Sequence, residues 1–234
     1  MKLLAFESSA GPASVCLAED GKILLSMSRN DGLTHSRTLL DMAGTVLREA
    51  GLTPADVDAF AVAAGPGSFT GLRIGIGTVK GLAWGAEKKC IGVSTLLAMA
   101  HCPRAWRGVI CPAMDARRAQ VYTAAFESDG HRNITRLSPD SAISAAEAAA
   151  SADRSKPILV CGDGAKILHA ELLAQGHPQV FLAPENTVFQ CATGVALAAE
   201  GIEPVSPEEL APEYLRKSQA EREREARLAA QNEK

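Results

Sequence analysis

The chain has few aromatic residues: Phe, Trp and Tyr together make up 4% of its 234 residues. A core must therefore be built mainly from Ala, Val, Leu and Ile, and a surface that stacks unpaired bases on exposed rings is excluded. A basic excess is missing too. Lys and Arg number 24 against 27 Asp and Glu, a net charge of −3, whereas a protein that grips nucleic acid unaided carries a basic excess or stripe. No run approaches the roughly 20 apolar residues of a membrane span. The apolar opening is too short for a signal peptide and is broken at Glu7. The six cysteines (Cys16, Cys90, Cys102, Cys111, Cys161, Cys191) contain no CxxC pair. They read as small buried hydrophobes in a reducing compartment. The five histidines form no HxxxH or HExxH pair, which argues against a His-based metal centre. These absences point to a cytoplasmic globule.

What is present is 47% hydrophobic and 22% charged, ordinary for one large or two small folded domains. The first thirty residues read as three strands, Lys2–Phe6, Ala13–Leu17 and Lys22–Met27, the last two joined by an Asp20-Gly21 hairpin turn. A helix follows, started by Thr34 or Ser36 and stopped by Gly51, with Leu39, Met42, Ala43, Val46 and Leu47 on one face. Ala59–Ala64 reads as a buried strand, Thr70–Gly85 as a helix and Cys90–Val93 as a strand. Further on, Val109–Met114 and Gln120–Phe126 read as strands, Ser141–Ala152 as a helix, Ile158–Cys161 as a strand, and Ala165–Ala174 and Thr187–Ala199 as helices. The charged stretch from Arg216 to Lys234 reads as an exposed terminal helix.

The second half opens like the first. Aligning Glu7 with Asp115 places Asp20-Gly21 against Asp129-Gly130, so both halves start strand, acid, turn, strand, Asp-Gly, strand. An internal duplication of this kind constrains the whole architecture.

Four features carry candidate chemistry, each beside a plainer role. The run Gly65-Pro66-Gly67-Ser68-Phe69-Thr70-Gly71-Leu72-Arg73-Ile74-Gly75 joins a strand to a helix. Backbone amides there can hold an anion, but the spacing fits neither a P-loop nor GxGxxG, and a tight structural turn explains it equally well. Gly71, Gly75, Gly77, Gly81 and Gly85 fall within one helix. Each weakens it by roughly 1 kcal/mol relative to Ala, so a close neighbour must compensate, either inside the chain or on a partner. Glu7 and Asp115 can face each other across a cleft as acid and base or metal ligands; satisfying turn amides is the favoured role for acids at strand ends. Gly162-Asp163-Gly164 can approach a nucleotide and is also simply a good turn.

The opening Leu3-Leu4-Ala5-Phe6-Glu7-Ser8-Ser9, the Thr34-His35-Ser36 helix start and the Gly65–Gly75 run followed by Lys80-Gly81-Leu82-Ala83 resemble the bacterial TsaB (YeaZ) family. So do Asp115-Ala116-Arg117-Arg118, Gly162-Asp163-Gly164 and Pro212-Glu213-Tyr214-Leu215-Arg216, so that the resemblance spans nearly the whole chain. Glu7 departs from it, standing where Asp is usual.

The resemblance implies an α/β, actin-like ATPase (ASKHA) fold of two related lobes: residues 1–102 with the partner-binding helices, residues 103–207 as a smaller second lobe, and residues 208–234 as a C-terminal helical tail. It implies a non-catalytic scaffold in threonylcarbamoyladenosine (t6A) tRNA modification, which pairs with the catalytic paralogue TsaD, helps dock the ATPase TsaE and meets tRNA only through the complex. Homodimers would form when TsaD is absent. Thr95 and Met99 stand where TsaD has its two metal-binding histidines, so no catalytic residue and no metal are expected. No cofactor of the chain's own is implied, and ATP or ADP would sit at most at the interface with partners. The implied pairing surface is the helices 36–50 and 70–85, with Val46, Leu47, Leu72, Ile76 and Val79 as candidates, while Gly65, Pro66, Gly67, Ser68, Phe69, Thr70, Gly71 and Arg73 form a structural signature loop. The rival reading is an ATP-dependent small-molecule kinase or a metalloprotease of the same fold.

Overall fold

The computed structural model describes residues 1–32, 34–184 and 190–216. Its first sheet contains β1 (Lys2–Glu7), β2 (Ala13–Glu19), β3 (Lys22–Arg29), β4 (Ala59–Gly65) and β5 (Lys89–Ser94). The strands lie in the order β3-β2-β1-β4-β5. β1 is antiparallel to β2, and β2 to β3; β1, β4 and β5 run parallel. Alternation along β1 splits its side chains between two faces. Leu4 and Phe6 join the cluster beneath α1 (His35–Glu49) and α2 (Phe69–Ala86). Leu3 and Ala5 join the opposite one, beneath α3 (Thr95–His101) and an alanine-rich helix described below. That second cluster consists largely of alanine, as the shortage of aromatics requires.

The second lobe repeats this plan. Its strands are β6 (Arg107–Asp115), β7 (Gln120–Thr123), β8 (Phe126–Asp129), β9 (Ile134–Arg136), β10 (Ser141–Ser144), β11 (Ile158–Cys161) and β12 (Val180–Leu182). The order β10-β7-β6-β11-β12 reproduces that of the first sheet, with the same senses of pairing. β7 and β8 hold one register along β6, Ala113 opposite Thr123 and Ile110 opposite Phe126. They are therefore a single strand interrupted at Ala124–Ala125. β9 and β10 are likewise the two halves of its neighbour. The duplication read from Glu7/Asp115 and the two Asp-Gly turns is thus a structural one. Behind this sheet lie α4 (Ala145–Ala150) and α5 (Ala165–Ala174).

Three expectations change. The helix expected over 141–152 begins only at Ala145. Residues 141–144 complete the sheet edge beside β7, and Ser144 with Glu147 forms a capping box that starts the helix. Of the helix expected over 187–199, the described part is α6 (Ala192–Ala198); residues 187–189 lie outside the described residues. α6 belongs to the first lobe, packing Ala192, Val195 and Ala196 against Leu3, Ala5 and Ala61. From there the chain stays on the first lobe: Val205 bridges Cys90 at the edge of β5, and Leu210 enters the cluster of α1 and α2. The second lobe is therefore inserted into the first, rather than running on to residue 207. Residues 208–216 are not helical, and 217–234 lie outside the described residues.

The glycines of α2 fall into two groups. A Cβ on Gly71 would overlap the Ser8 carbonyl oxygen, and one on Gly75 the Ser8 hydroxyl. Ser8 Oγ also donates to the Gly71 carbonyl at 3.0 Å, so the helix lies directly on the end of β1. Gly77, Gly81 and Gly85 face open space. Gly71→Ala is expected to destabilise the protein by about 2 kcal/mol or more, since a backbone oxygen cannot move aside. Gly81→Ala should stabilise it by up to about 1 kcal/mol. Urea denaturation of both variants checks the opposite signs.

Candidate functional site

Between the lobes lies a cleft of about 610 Å³. One wall is the loop after β1 (Ser9, Ala10, Gly11) and the turn from β4 into α2 (Pro66 to Phe69); the other carries Asp115, Arg117, Tyr122 and Asp163. The first wall is locked by its own backbone. The Ser68 amide donates to the Ser9 carbonyl at 2.7 Å, Ser68 Oγ accepts from the Gly71 amide at 3.3 Å, and a Cβ on Gly67 would meet Ser9. His35 opens α1 and its ring donates to the Ala10 carbonyl at 2.8 Å. The opposite wall is built in the same way. The Arg117 amide donates to Asp115 Oδ1 at 2.7 Å, and the Asp115 amide to Asp163 Oδ1 at 3.3 Å. Gly162 and Gly164 lie against the backbone of residues 113–115, where a Cβ would clash.

A strap made of residues 213–216 enters this cleft. The Glu213 amide donates to the Ala64 carbonyl at 2.7 Å, and the strap passes so close to Gly65 that only glycine fits there, at φ 135°. Tyr214 stacks on Phe69 with ring centroids 4.6 Å apart, the Arg73 guanidinium lies 4.0 Å from the centroid of the Phe69 ring, and Arg73 Nε donates to the Tyr214 hydroxyl at 3.1 Å. Arg216 reaches across to donate to the Ala116 carbonyl at 2.6 Å. Upstream, Trp84 Nε1 donates to Glu208 at 2.7 Å. Tyr214 and Arg216 thus line the cleft, and Arg216 bridges its walls. The sequence signal for them was the Pro212-to-Arg216 match, to which no role had been attached.

Glu7 and Asp115 do not face each other. Asp115 lines the cleft, whereas Glu7 is fully buried. Glu7 Oε1 accepts from the Ser9 amide at 2.5 Å and Oε2 has no hydrogen-bond partner. Loss of solvation raises its carboxyl to about 7, against the pull of the Ser9 hydrogen bonds. Both acids hold turn amides, the favoured of the two roles.

Val46, Leu47, Leu72, Ile76 and Val79 are a correction. All five are 5% exposed or less, and Val46, Leu47, Ile76 and Val79 lie in the core shared by the first sheet, α1 and α2. The periodicity that made them conspicuous is that of the inward face. The outward face carries Leu40, 56% exposed, and Trp84, 55% exposed, with Gly44, Gly77, Gly81 and Gly85 in open space. Leu40, Gly44 and Leu82 border a shallow groove of about 340 Å³. Thr95 and Met99 are buried in α3; Met99 packs against the second sheet. The residues at these two positions do not fit a metal, because neither side chain is an imidazole or carboxylate, and no group of three or more metal-ligating residues occurs among the described residues. Glu213 to Arg216 line the cleft without filling it.

Two sheets of identical strand order, one lobe inserted in the other and a cleft between them define an actin-like ATPase fold. The profile of the family described as TsaD, tRNA N6-adenosine threonylcarbamoyltransferase, matches residues 31–157, more than half of the chain, and the chain belongs to that family. Within it, the chain is similar to the tRNA threonylcarbamoyladenosine biosynthesis protein TsaB of Escherichia coli K12, at 41% identity over 55% of this chain and 56% of that one. It is 27% identical to Bacillus subtilis TsaB, over 94% of this chain and 96% of that one. The chain thus spans little more than half the length of the first relative and nearly all of the second. A crystal structure from Pseudomonas aeruginosa, described as an uncharacterized protein similar to the peptidase YeaZ, superposes with a TM-score of 0.79 at 29% identity, over 92% of this chain and 99% of that one. No described helix is long and apolar enough to cross a membrane.

Glu7 gives the site a pH signature. Its carboxyl titrates near 7 when folded against 4.5 when exposed, so the folded state holds the proton more tightly. The associated stability is complete below about pH 4.5 and is lost as pH rises through 7, about 3 kcal/mol in all. Glu7→Gln is expected to remove this slope. Denaturation of both proteins at several pH values between about 4 and 8 measures the difference.

Proposed function

We propose that this chain is a cytoplasmic, non-catalytic scaffold subunit of the machinery that makes threonylcarbamoyladenosine in tRNA. It pairs through the outward face of α1 and α2 with the catalytic paralogue TsaD and helps dock TsaE. The observation that carries the reading is the row Gly77, Gly81 and Gly85. Three glycines weaken an exposed helix by about 3 kcal/mol relative to Ala, and none of the described residues lies over them. A helix of a partner, brought close by the missing side chains, would supply the compensating contacts, and Leu40 and Trp84 flank it with exposed apolar surface. TsaD is the partner that family membership suggests, and a second copy of the chain would use the same face when TsaD is absent.

Three further observations support a scaffold over an enzyme. The strap lines the cleft in which a kinase of this fold would bind nucleotide and ties its two walls together through the Glu213–Ala64 and Arg216–Ala116 hydrogen bonds, and on this reading ATP or ADP sits at a partner interface. The positions of the TsaD metal ligands hold Thr95 and Met99. The net charge of −3 leaves tRNA binding to the complex.

The test is t6A formation by purified TsaC, TsaD, TsaE, tRNA, threonine, bicarbonate and ATP, with and without this chain. Product is expected only with the chain present, and Gly81→Leu, which keeps the fold but blocks close approach, should lower both yield and co-elution with TsaD by about tenfold or more. Unchanged yield without the chain would overturn the proposal. Metal-dependent ATP turnover by the chain alone, lost in Asp115→Ala, would establish the kinase reading instead.

A further inference from the structure

The six cysteines fall into two classes. Cys16, Cys90, Cys111 and Cys161 are buried, and burial pushes their thiols up to about 12, 11, 12 and 12. Cys102 and Cys191 are half-buried. Their sulfurs lie 3.3 Å apart although the residues are 89 positions apart in sequence.

Their place in the fold gives the contact meaning. Cys102 follows α3, where the chain leaves the first lobe for β6, and Cys191 directly precedes α6, where the chain comes back. The two cysteines therefore join the two crossings between the lobes. We propose that Cys102 and Cys191 form a redox-responsive dithiol, which closes to a disulfide under a hydroperoxide and clamps the two interlobe crossings to each other.

The surroundings divide the roles. Cys191 Sγ accepts a hydrogen bond from Cys102 and others from the backbone of Gly194 and Thr193, which together hold its thiol well below the usual range despite burial. The same sulfur–sulfur hydrogen bond, with burial, holds Cys102 well above it. Cys191 is thus the nucleophile and Cys102 the resolving thiol. The Cys191 thiolate attacks one peroxide oxygen and the O–O bond breaks. This leaves a sulfenic acid and a hydroxide that takes up a proton to become water. Cys102 sulfur then attacks Cys191 sulfur: the S–S bond forms, the S–O bond breaks, and the oxygen leaves as a second water carrying the Cys102 proton. Two thiols lose two electrons and one peroxide gains them. The sulfurs need to close only from 3.3 Å to about 2.05 Å. Two other thiols compete: Cys16 is within electrostatic reach of Cys191, with the Thr193 side chain as its own hydrogen-bond partner, and the fully buried Cys161 is within electrostatic reach of Cys102. No third metal-ligating side chain completes a cation site with the pair among the described residues.

The experiment treats the purified full chain with hydrogen peroxide, alkylates the remaining thiols, and maps peptides without reduction. The expected product is one crosslink between Cys102 and Cys191. It should be reversed by dithiothreitol, be absent from Cys102→Ala and Cys191→Ala, and be accompanied by a rise in Tm on the order of 5–10 °C. Sulfenic or sulfinic acid persisting on Cys191 while Cys102 stays open to alkylation would overturn the proposal, as would a crosslink from Cys191 to Cys16. Because the wild-type map decides the linkage alone, a variant that fails to fold leaves the test intact.

Discussion

Five of the seven residues of α3 are buried, and the helix is packed from both sides. Leu96, Met99 and Ala100 pack against Ile110, Met114 and Leu159 of the second sheet, while Ala98 packs against α6 over the first. Full burial of Leu96 and Met99 is worth about 2 kcal/mol or more each, and both lobes draw on it. Ser94, which caps the helix by accepting from the Leu97 amide, also donates to Asp140 of the second lobe at 2.6 Å. One short helix thus fixes the position of each sheet relative to the other. The cleft, the strap across it and the two crossings all inherit their geometry from that placement.

Given this frame, the two faces of the α1–α2 layer behave oppositely. Inward, Gly71 lets the helix meet the Ser8 backbone and Gly75 leaves room for the Ser8 hydroxyl. Outward, glycine recurs with no neighbour among the described residues. The cleft is instead crossed by the chain's own strap, through the Arg216 hydrogen bond to Ala116. On the proposed reading, partner binding lies on the outer helices.

Much of this architecture was legible because two patterns are clean: the continuous apolar run Leu3–Phe6 and the three-to-four spacing of Leu39, Met42, Val46. The repeat was legible because both Asp-Gly turns survive it. The site was less so. Periodicity identifies an apolar face without saying whether chain or partner covers it, and Val46, Leu47, Leu72, Ile76 and Val79 were misassigned for that reason. Residues 141–144 read as helix because alanine follows them, yet pairing with β7 decided their conformation. The strap and α6 contact residues a hundred positions or more earlier, as Arg216 with Ala116 shows, and no local pattern announces such a contact. Cys102 and Cys191 look in the sequence like any other two of the six cysteines.

The insertion of one lobe into the other bears on how the polypeptide matures as it leaves the ribosome. Residues 107–182 form a continuous segment that can complete its own sheet during synthesis. The first lobe cannot, since the alanine face of its sheet waits for α6 and its far edge for Val205. The segment made first is therefore finished last, and its open face is the one that nascent-chain chaperones would have to shield.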